Sequence, residues 1–383
     1  MSRPIRVLEL CSSLAAGGAE RLVYDLVRSF DPARCEARVC ALSVVQGNPL
    51  QSEFAQIGVP TYVLGARKMY APGLYRALVR YIRAERIDLI HTHLTSADFV
   101  GRLVGRAMGV PVISTMHNMP EDYERQAVYR YWLERSTCAL AAHLVACSES
   151  IRTMYVRRWR IAEGQISTIK NGVTVDGFLD LDTGVTARDI NAGPLITTVG
   201  RLMEQKAHHV LLAAARIVLN VRPDARFLIV GSGPLEQQLK NQARDLGVAG
   251  QVEFAGTRHD IAAILGQSDI FTLSSAWEGL PISAIEAMAA ARPVVLTNVG
   301  GVPDLVTSGV EGLLVSPGDP VALAQALLAL LSNPEARRKM GQAARVRVRR
   351  ECNMSTTVAQ YENLFAQVLA RSPGAQRAHG IGR

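Results

Sequence analysis

No two of the six cysteines stand in CxxC spacing; Cys11, Cys35, Cys40, Cys138, Cys147 and Cys352 are scattered, several of them inside apolar runs. That argues against a cysteine metal site or a dithiol redox motif and reads as buried free thiols of a reducing compartment. Long hydrophobic runs are also missing. None reaches the ~18 residues that a spanning helix needs, and the apolar stretch of "MSRPIRVLELCSSL" is short and broken by Glu9, so it reads as a first strand and not a signal peptide. An excess of one charge in one region is absent too: the net charge of +8 divides into +4 for residues 1–190 and +4 for 191–383. Without a basic tail, dedicated nucleic-acid binding is disfavoured, while a moderately positive surface still suits anionic small molecules or an anionic membrane face. The expected setting is cytoplasmic, with a location at the inner face of the cytoplasmic membrane as the variant of it.

What is present is an ordinary globular composition, 48% hydrophobic and 20% charged over 383 residues. A chain of this length is expected to form two domains of roughly 150 to 200 residues. Nearly continuous apolar strands ("IRVLELC", "IDLIHTH", "PVISTMHN") alternate with amphipathic stretches ("GAERLVYDLVRSF", "LYRALVRYIRAER"), and the rhythm repeats from "PLITTVGRL" through "HHVLLAAARIVLN", "ARFLIVGSG" and "DIFTLSS" to "EGLLVSP". This is the signature of α/β domains whose parallel sheets are covered on both faces. Residues 175–193, rich in Asp, Thr and Gly and without either period, read as the linker between two doubly wound domains with a cleft between them.

In such domains ligands sit outside the C-terminal ends of the strands, and four strand exits are rich in glycine: "SLAAGGAER", "VGRLMEQKAHH", "VGSGPLEQQL" and "NVGGVPDLV". None is GxGxxG, so a dinucleotide reading is weak. Arg201 and Lys206 at one exit could neutralise a diphosphate or could be surface cations. "SSAWEGLPISAIEAMAA" carries Glu278 and Glu286 on either side of Pro281, which suits the first turn of a helix. Glu278 then stands at the helix mouth and Glu286 more than a turn along, flanking the amides of Gly279, Leu280 and Ile282, where anions bind. Hydroxyl, phosphate, hydroxyl describes a nucleotide sugar. A helix-start acid plus a solvated glutamate stays open on this stretch alone.

The ordered set "GGAER", "HTH", "MHN", "NGV", "VGRLMEQKAHHVLLAAA", "VGSGP", "VEFAG", "SSAWEGLPISAIEAMAAARPVVLTNVGGVPDLV", "EGLLVSPGD" resembles glycosyltransferase family 4 over roughly residues 5–365. The resemblance implies a GT-B fold: a first Rossmann-like domain on the acceptor side (1–190), a nucleotide-sugar-binding one (191–355), a C-terminal helix returning to the first (356–372) and a disordered tail (373–383). It implies that Arg201 and Lys206, after Gly200, hold the donor diphosphate, that Glu286 accepts from the ribose, and that Glu278 contacts the transferred sugar, with Gly279, Leu280, Pro281 and Ile282 lining the loop and helix start. Gly231 would lie near the nucleotide, Arg258 would frame the base, His117 would reach the donor sugar, and Gly17 with Gly18 would form the loop that closes over it. Two alanines depart from the family pattern, Ala207 after the lysine and Ala291 before "RPVV", each in place of a usual glycine and each expected to be tolerated.

The expected activity is transfer from a nucleoside diphosphate sugar, UDP-linked in preference to GDP-mannose, to a hydroxyl of a glycan or lipid-linked acceptor, with retention and with no cofactor or essential metal. Epimerisation on the same scaffold and non-catalytic nucleotide-sugar binding are the alternatives. His91 and His93 alternate along one strand without a third metal ligand at fitting spacing, which favours strand-end hydrogen bonding. "DLD" at Asp180 to Asp182 mimics a metal-binding DxD but falls in the linker. The Arg-rich "YRALVRYIRAER" and "MYVRRWRI" read as solvated helix faces, with an anionic membrane surface as the functional alternative.

Overall fold

The structure is a computed structural model and describes residues 3–15, 17–44, 49–66, 69–119, 128–178 and 193–372. The chain divides into two compact units, Met1–Asn171 with Met354–Arg383, and Gly172–Asn353. Most of the 175–193 stretch, the Asp180 to Asp182 triplet and the 373–383 tail lie outside the described residues.

The first unit is built on a seven-stranded sheet of β1 (Ile5–Cys11), β2 (Cys35–Ala41), β3 (Thr61–Val63), β4 (Leu89–His93), β5 (Val112–Met116), β6 (His143–Ala146) and β7 (Ile166–Thr168), in the order 3-2-1-4-5-6-7. Every pairing is parallel. β4 and β5 are buried at every position, as continuous apolar strands covered on both faces require. The strand order reverses between β1 and β4, which creates the switch point where ligands of such sheets bind. The helix Met354–Arg371 belongs to this unit: Glu362 accepts from Asp31 N (2.8 Å) and pairs with Arg34 (2.9 Å), and Phe365 packs edge-on to Phe30 at 6.0 Å. The expected return of the last helix to the first domain is therefore present.

Charge is buried beneath this sheet. Arg102, 0% exposed on the helix Thr95–Met108, donates to Glu134 Oε1 (2.5 Å) and Ser114 Oγ (2.9 Å). Asp98, one turn before it, is pushed up to about 8 by burial and by the Glu134 charge. One arginine thus stands against two buried carboxyls, and burial raises both of them.

The second unit carries a six-stranded sheet of β8 (Leu195–Val199), β9 (Arg226–Val230), β10 (Val252–Gly256), β11 (Ile270–Leu273), β12 (Val294–Thr297) and β13 (Gly312–Val315), in the order 10-9-8-11-12-13. All its pairings are again parallel, with the switch point between β8 and β11. Two helices left unassigned by the sequence pattern, Pro320–Leu331 and Pro334–Glu351, follow β13. Their starts are nonetheless written locally: the Asp319 and Asn333 side chains accept from amides of the first turn, and a proline opens each helix. Among the described residues no helix is long and apolar enough to cross a membrane, and all six cysteines are free and buried.

Ala207 and Ala291 sit at φ +45° and +53°. Both departures from the family pattern thus fall on left-handed backbone, where a Cβ costs roughly 1–2 kcal/mol and glycine costs nothing. The chain tolerates the strain without losing either turn.

Candidate active site

Because β8 and β11 are neighbours, their exits face each other, and hydrogen bonds to backbone carbonyls join the two loops. Ala276 N donates to Gln205 O (2.8 Å), Gln205 Nε2 to Trp277 O (3.2 Å), and Ser274 Oγ to the carbonyls of Lys206 and Ala207 (3.0 Å each). The loops so joined place Lys206 Nζ 2.5 Å from Glu278 Oε1, and Ser275 Oγ donates to the same oxygen at 2.6 Å. The side chains are 15% and 5% exposed, so the pair is shielded from solvent and its attraction is little screened. Glu278 Oε2 has no hydrogen-bond partner among the described residues, so one carboxylate oxygen is engaged and the other open. Arg201 is exposed and has no side-chain partner among the described residues.

Glycines let these exits approach. Gly231 adopts φ +136°, and a Cβ there would meet Gly200 O at 2.1 Å; Gly300 adopts φ +52°, and a Cβ would meet Glu278 O at 1.8 Å. Any side chain at either position would push the loops apart. Gly301 N donates to Gly279 O (2.9 Å), so the β12 exit braces the loop that carries Glu278.

Pro281 is the N-cap and not the first helical residue: its carbonyl accepts from Ala284 N (3.1 Å) and Ile285 N (3.2 Å), and the helix runs Ile282–Ala289. The shift of one residue leaves Glu278 ahead of the helix and Glu286 within it, half-buried. Leu280 is buried and anchors the loop; the amides of Gly279 and Ile282 make no hydrogen bond among the described residues. Arg258 is exposed and forks onto Asp260 with contacts of 2.8 and 2.5 Å. A role at a base would require that surface pair to open. Gly18 opens the helix Gly18–Ser29 after β1, with Gly17 as its N-cap.

His117 follows β5 in the first unit and is half-buried. Behind it lies a group that sequence reasoning did not assemble. His91 and His93 do share a face, and Glu9 of β1 stands between them: His91 Nδ1 lies 3.1 Å from Oε1, and His93 Nε2 2.8 Å from Oε2. The strand register Glu9↔His91 explains the meeting. The sequence signal was the acid interrupting an apolar strand, read there only as a break. Three possible ligand atoms within 4.8 Å of one another therefore exist where spacing offered two. Burial alone would raise the Glu9 carboxyl, but both histidines outweigh it and hold it down to about 2. Burial and the neighbouring His91 push His93 down to about 4, and burial with His93 beside it pushes His117 well below the usual histidine range.

Residues 16–176 match the family described as Glycosyltransferase Family 4, and residues 188–347 match Glycosyl transferases group 1. A UDP-Gal:alpha-D-GlcNAc-diphosphoundecaprenol alpha-1,3-galactosyltransferase of Escherichia coli is 31% identical over 66% of this chain and 68% of its own length. The chain belongs to glycosyltransferase family 4. This glycosyltransferase is also 24% identical to an N-acetyl-alpha-D-glucosaminyl L-malate synthase of Bacillus anthracis, over 82% of this chain and 84% of that relative. In fold it is similar to Anabaena HepE, solved in complex with UDP and glucose, with a TM-score of 0.83 and 21% identity over 95% of this chain and 100% of that one. The GT-B fold expected from the motifs is thus the fold of this family member.

Proposed function

We propose that this glycosyltransferase moves a hexosyl group from a UDP-sugar, with retention and without an essential metal, to a hydroxyl of a glycan or lipid-linked acceptor. One observation carries the reading. Glu278 keeps an oxygen open for a sugar hydroxyl while its other oxygen holds Lys206, on the same strand exit as the exposed Arg201. Two cations and two unengaged amides then meet the charge that develops on a departing diphosphate, the usual largest contribution to such a barrier. In the step, the bond from the anomeric carbon to phosphate oxygen breaks and its electron pair leaves with the diphosphate. The acceptor oxygen bonds to the same face, and its proton passes to the departing phosphate oxygen. Glu286, farther along the helix, takes the ribose hydroxyls. The UDP preference is supported by the names of the Escherichia coli relative and the HepE complex.

A lipid-linked acceptor would be met at an anionic membrane face, and the helix Val128–Thr137 suits that surface. Val128, Tyr129 and Trp132 are exposed on it, and Arg135 lies over the Trp132 ring at 5.5 Å. Aromatic and basic side chains on one exposed element are what an interfacial contact uses.

The test is a thermal-shift panel of UDP-, GDP- and ADP-sugars, followed by turnover of the stabilising donor on glycan and undecaprenyl-diphosphate acceptors in chelator. A UDP-sugar should raise Tm most, and product NMR should show the donor's own anomeric configuration. An inverted product, loss of turnover in chelator, or sugar epimerised without acceptor would each overturn the reading. Sedimentation with phosphatidylglycerol but not phosphatidylcholine vesicles checks the membrane face.

A further inference from the structure

The buried polar chain of the first unit runs from the sheet interior to its C-terminal edge, and its hydrogen bonds have a direction. An ionised Glu9 carboxylate, 0% exposed, can only accept. His93 Nε2, 2.8 Å from Oε2, must therefore carry a hydrogen. His93 is neutral at pH 7, since burial and His91 push it down to about 4, so its second nitrogen, Nδ1, holds a lone pair. The group facing that lone pair is His117 Nε2, at 3.2 Å. It must donate, and a neutral His117 then has its own lone pair on Nδ1. That nitrogen makes no hydrogen bond among the described residues. Glu9 and His93 are 0% and 1% exposed whereas His117 is half-buried, so the chain ends in an acceptor at the accessible edge of the sheet. His117 lies just beyond β5, two strands from β1 and across β4 from it, at the switch-point edge where doubly wound sheets take ligands.

We propose that Glu9 and His93 are positioning residues that lock His117 in its Nε2–H tautomer, so that Nδ1 is presented as a fixed acceptor for a sugar hydroxyl at the first unit's sheet edge. The inference rests on the transferase reading for the identity of the ligand. It has a consequence of its own for specificity: the site takes a sugar that offers a hydroxyl donor there and discriminates against one with a hydrogen or a carboxylate in its place. A deoxy analogue leaves that acceptor without its partner and so binds less well. His91 supports the arrangement from the other side. Its Nδ1 faces Oε1 of the same carboxylate, and its Nε2 lies 2.8 Å from Thr115 Oγ1, itself 2.9 Å from Tyr361 OH on the last helix. The Glu9 carboxylate is thus flanked by both rings, with His91 Nδ1 3.1 Å from Oε1 and 3.0 Å from Oε2.

The first experiment reads the tautomer directly, from the ring-nitrogen chemical shifts of histidine-labelled full-length protein at neutral pH, without substrate, with His117→Ala for assignment. His117 should show a protonated Nε2 and an unprotonated Nδ1. The opposite tautomer overturns the proposal, and so does one equivalent of tightly bound metal by elemental analysis, because a metal on His93 Nε2 would replace the hydrogen that Glu9 accepts. Since no donor is present, this measurement stands even if no UDP-sugar is turned over. The second uses Glu9→Gln, whose amide presents a donor to one of the two histidines, and Glu9→Asp, which restores the charge. Glu9→Gln should scramble the His117 tautomer and raise donor KM on the order of tenfold with kcat nearly unchanged, because a hydroxyl clamp is lost equally from ground and transition states. Glu9→Asp should recover the wild-type tautomer. A folded Glu9→Gln protein with the wild-type tautomer and KM overturns the relay. Should that variant fail to fold, the wild-type tautomer and a KM penalty confined to deoxy donors, absent in His117→Ala, decide the matter.

Discussion

The two doubly wound units treat the same place, the C-terminal edge of a parallel sheet at its switch point, in opposite ways. In the first unit the edge is backed by side chains: a carboxylate, three histidines and two hydroxyls satisfy one another beneath it, and Arg102 with Glu134 and Asp98 lies deeper still. In the second the edge is stripped to backbone, with Gly200, Gly231 and Gly300 letting the exits close up, a single shielded ion pair, and an exposed arginine. Under the proposed roles, the difference follows the ligand each edge would take. Imidazoles held in one tautomer read hydroxyls, whereas amides and cations with little bulk around them accept phosphate charge.

The comparison can be broken most severely at its buried end. Arg102→Met should leave Glu134 charged and unpaired inside the first unit and cost about 4 kcal/mol, seen as a large fall in denaturation midpoint. Arg201→Ala in the second unit should change stability by less than about 0.5 kcal/mol while lowering turnover. Lys206→Ala is expected to reduce kcat on the order of a hundredfold or more, with circular dichroism showing an intact fold; full activity would remove the second unit's edge from the chemistry. Acid sharpens the contrast next. His93 in the first unit and His208 in the second are both held down to about 4, each by burial first, so the unfolded chain binds protons below about 6.5 that the folded chain refuses. Stability is complete above pH 6.5 and should fall as pH drops toward 4, by on the order of 3 kcal/mol per histidine. His208 has neither ring nitrogen satisfied, so His208→Leu should remove its share of the loss without cost at pH 7. The smallest expected effect separates the two strained alanines. Ala291→Gly, at a half-buried position, should stabilise by about 1 kcal/mol. Ala207→Gly should come out near zero, because Ala207 is 4% exposed and the buried methyl it loses offsets the relieved strain.

Much of this was legible in the chain. The alternation of apolar strands and amphipathic helices set out two parallel sheets, and the glycine-rich exits with Glu278, Glu286, Arg201 and Lys206 marked one edge of the second. Pro281 was misplaced by a single position, because a proline at the N-cap and one in the first turn look alike without backbone angles. Two helices after β13 escaped although Asp-Pro and Asn-Pro announce their starts. Glu9 escaped for a deeper reason, since nothing local distinguishes a buried acid from a break in a strand.

The sequence by itself determined the periods, the turns and the residue types at each strand exit, because those depend on neighbours within a few positions. Only the tertiary structure decided which exits meet. Lys206 finds Glu278 across 72 positions because β8 lies beside β11, and Glu9 finds His91 and His93 across 82 and 84 because β1 lies beside β4 in register. Strand order is settled by packing of the whole sheet, and with it which charges are paired, which histidine nitrogen carries a hydrogen, and where an acceptor is left open.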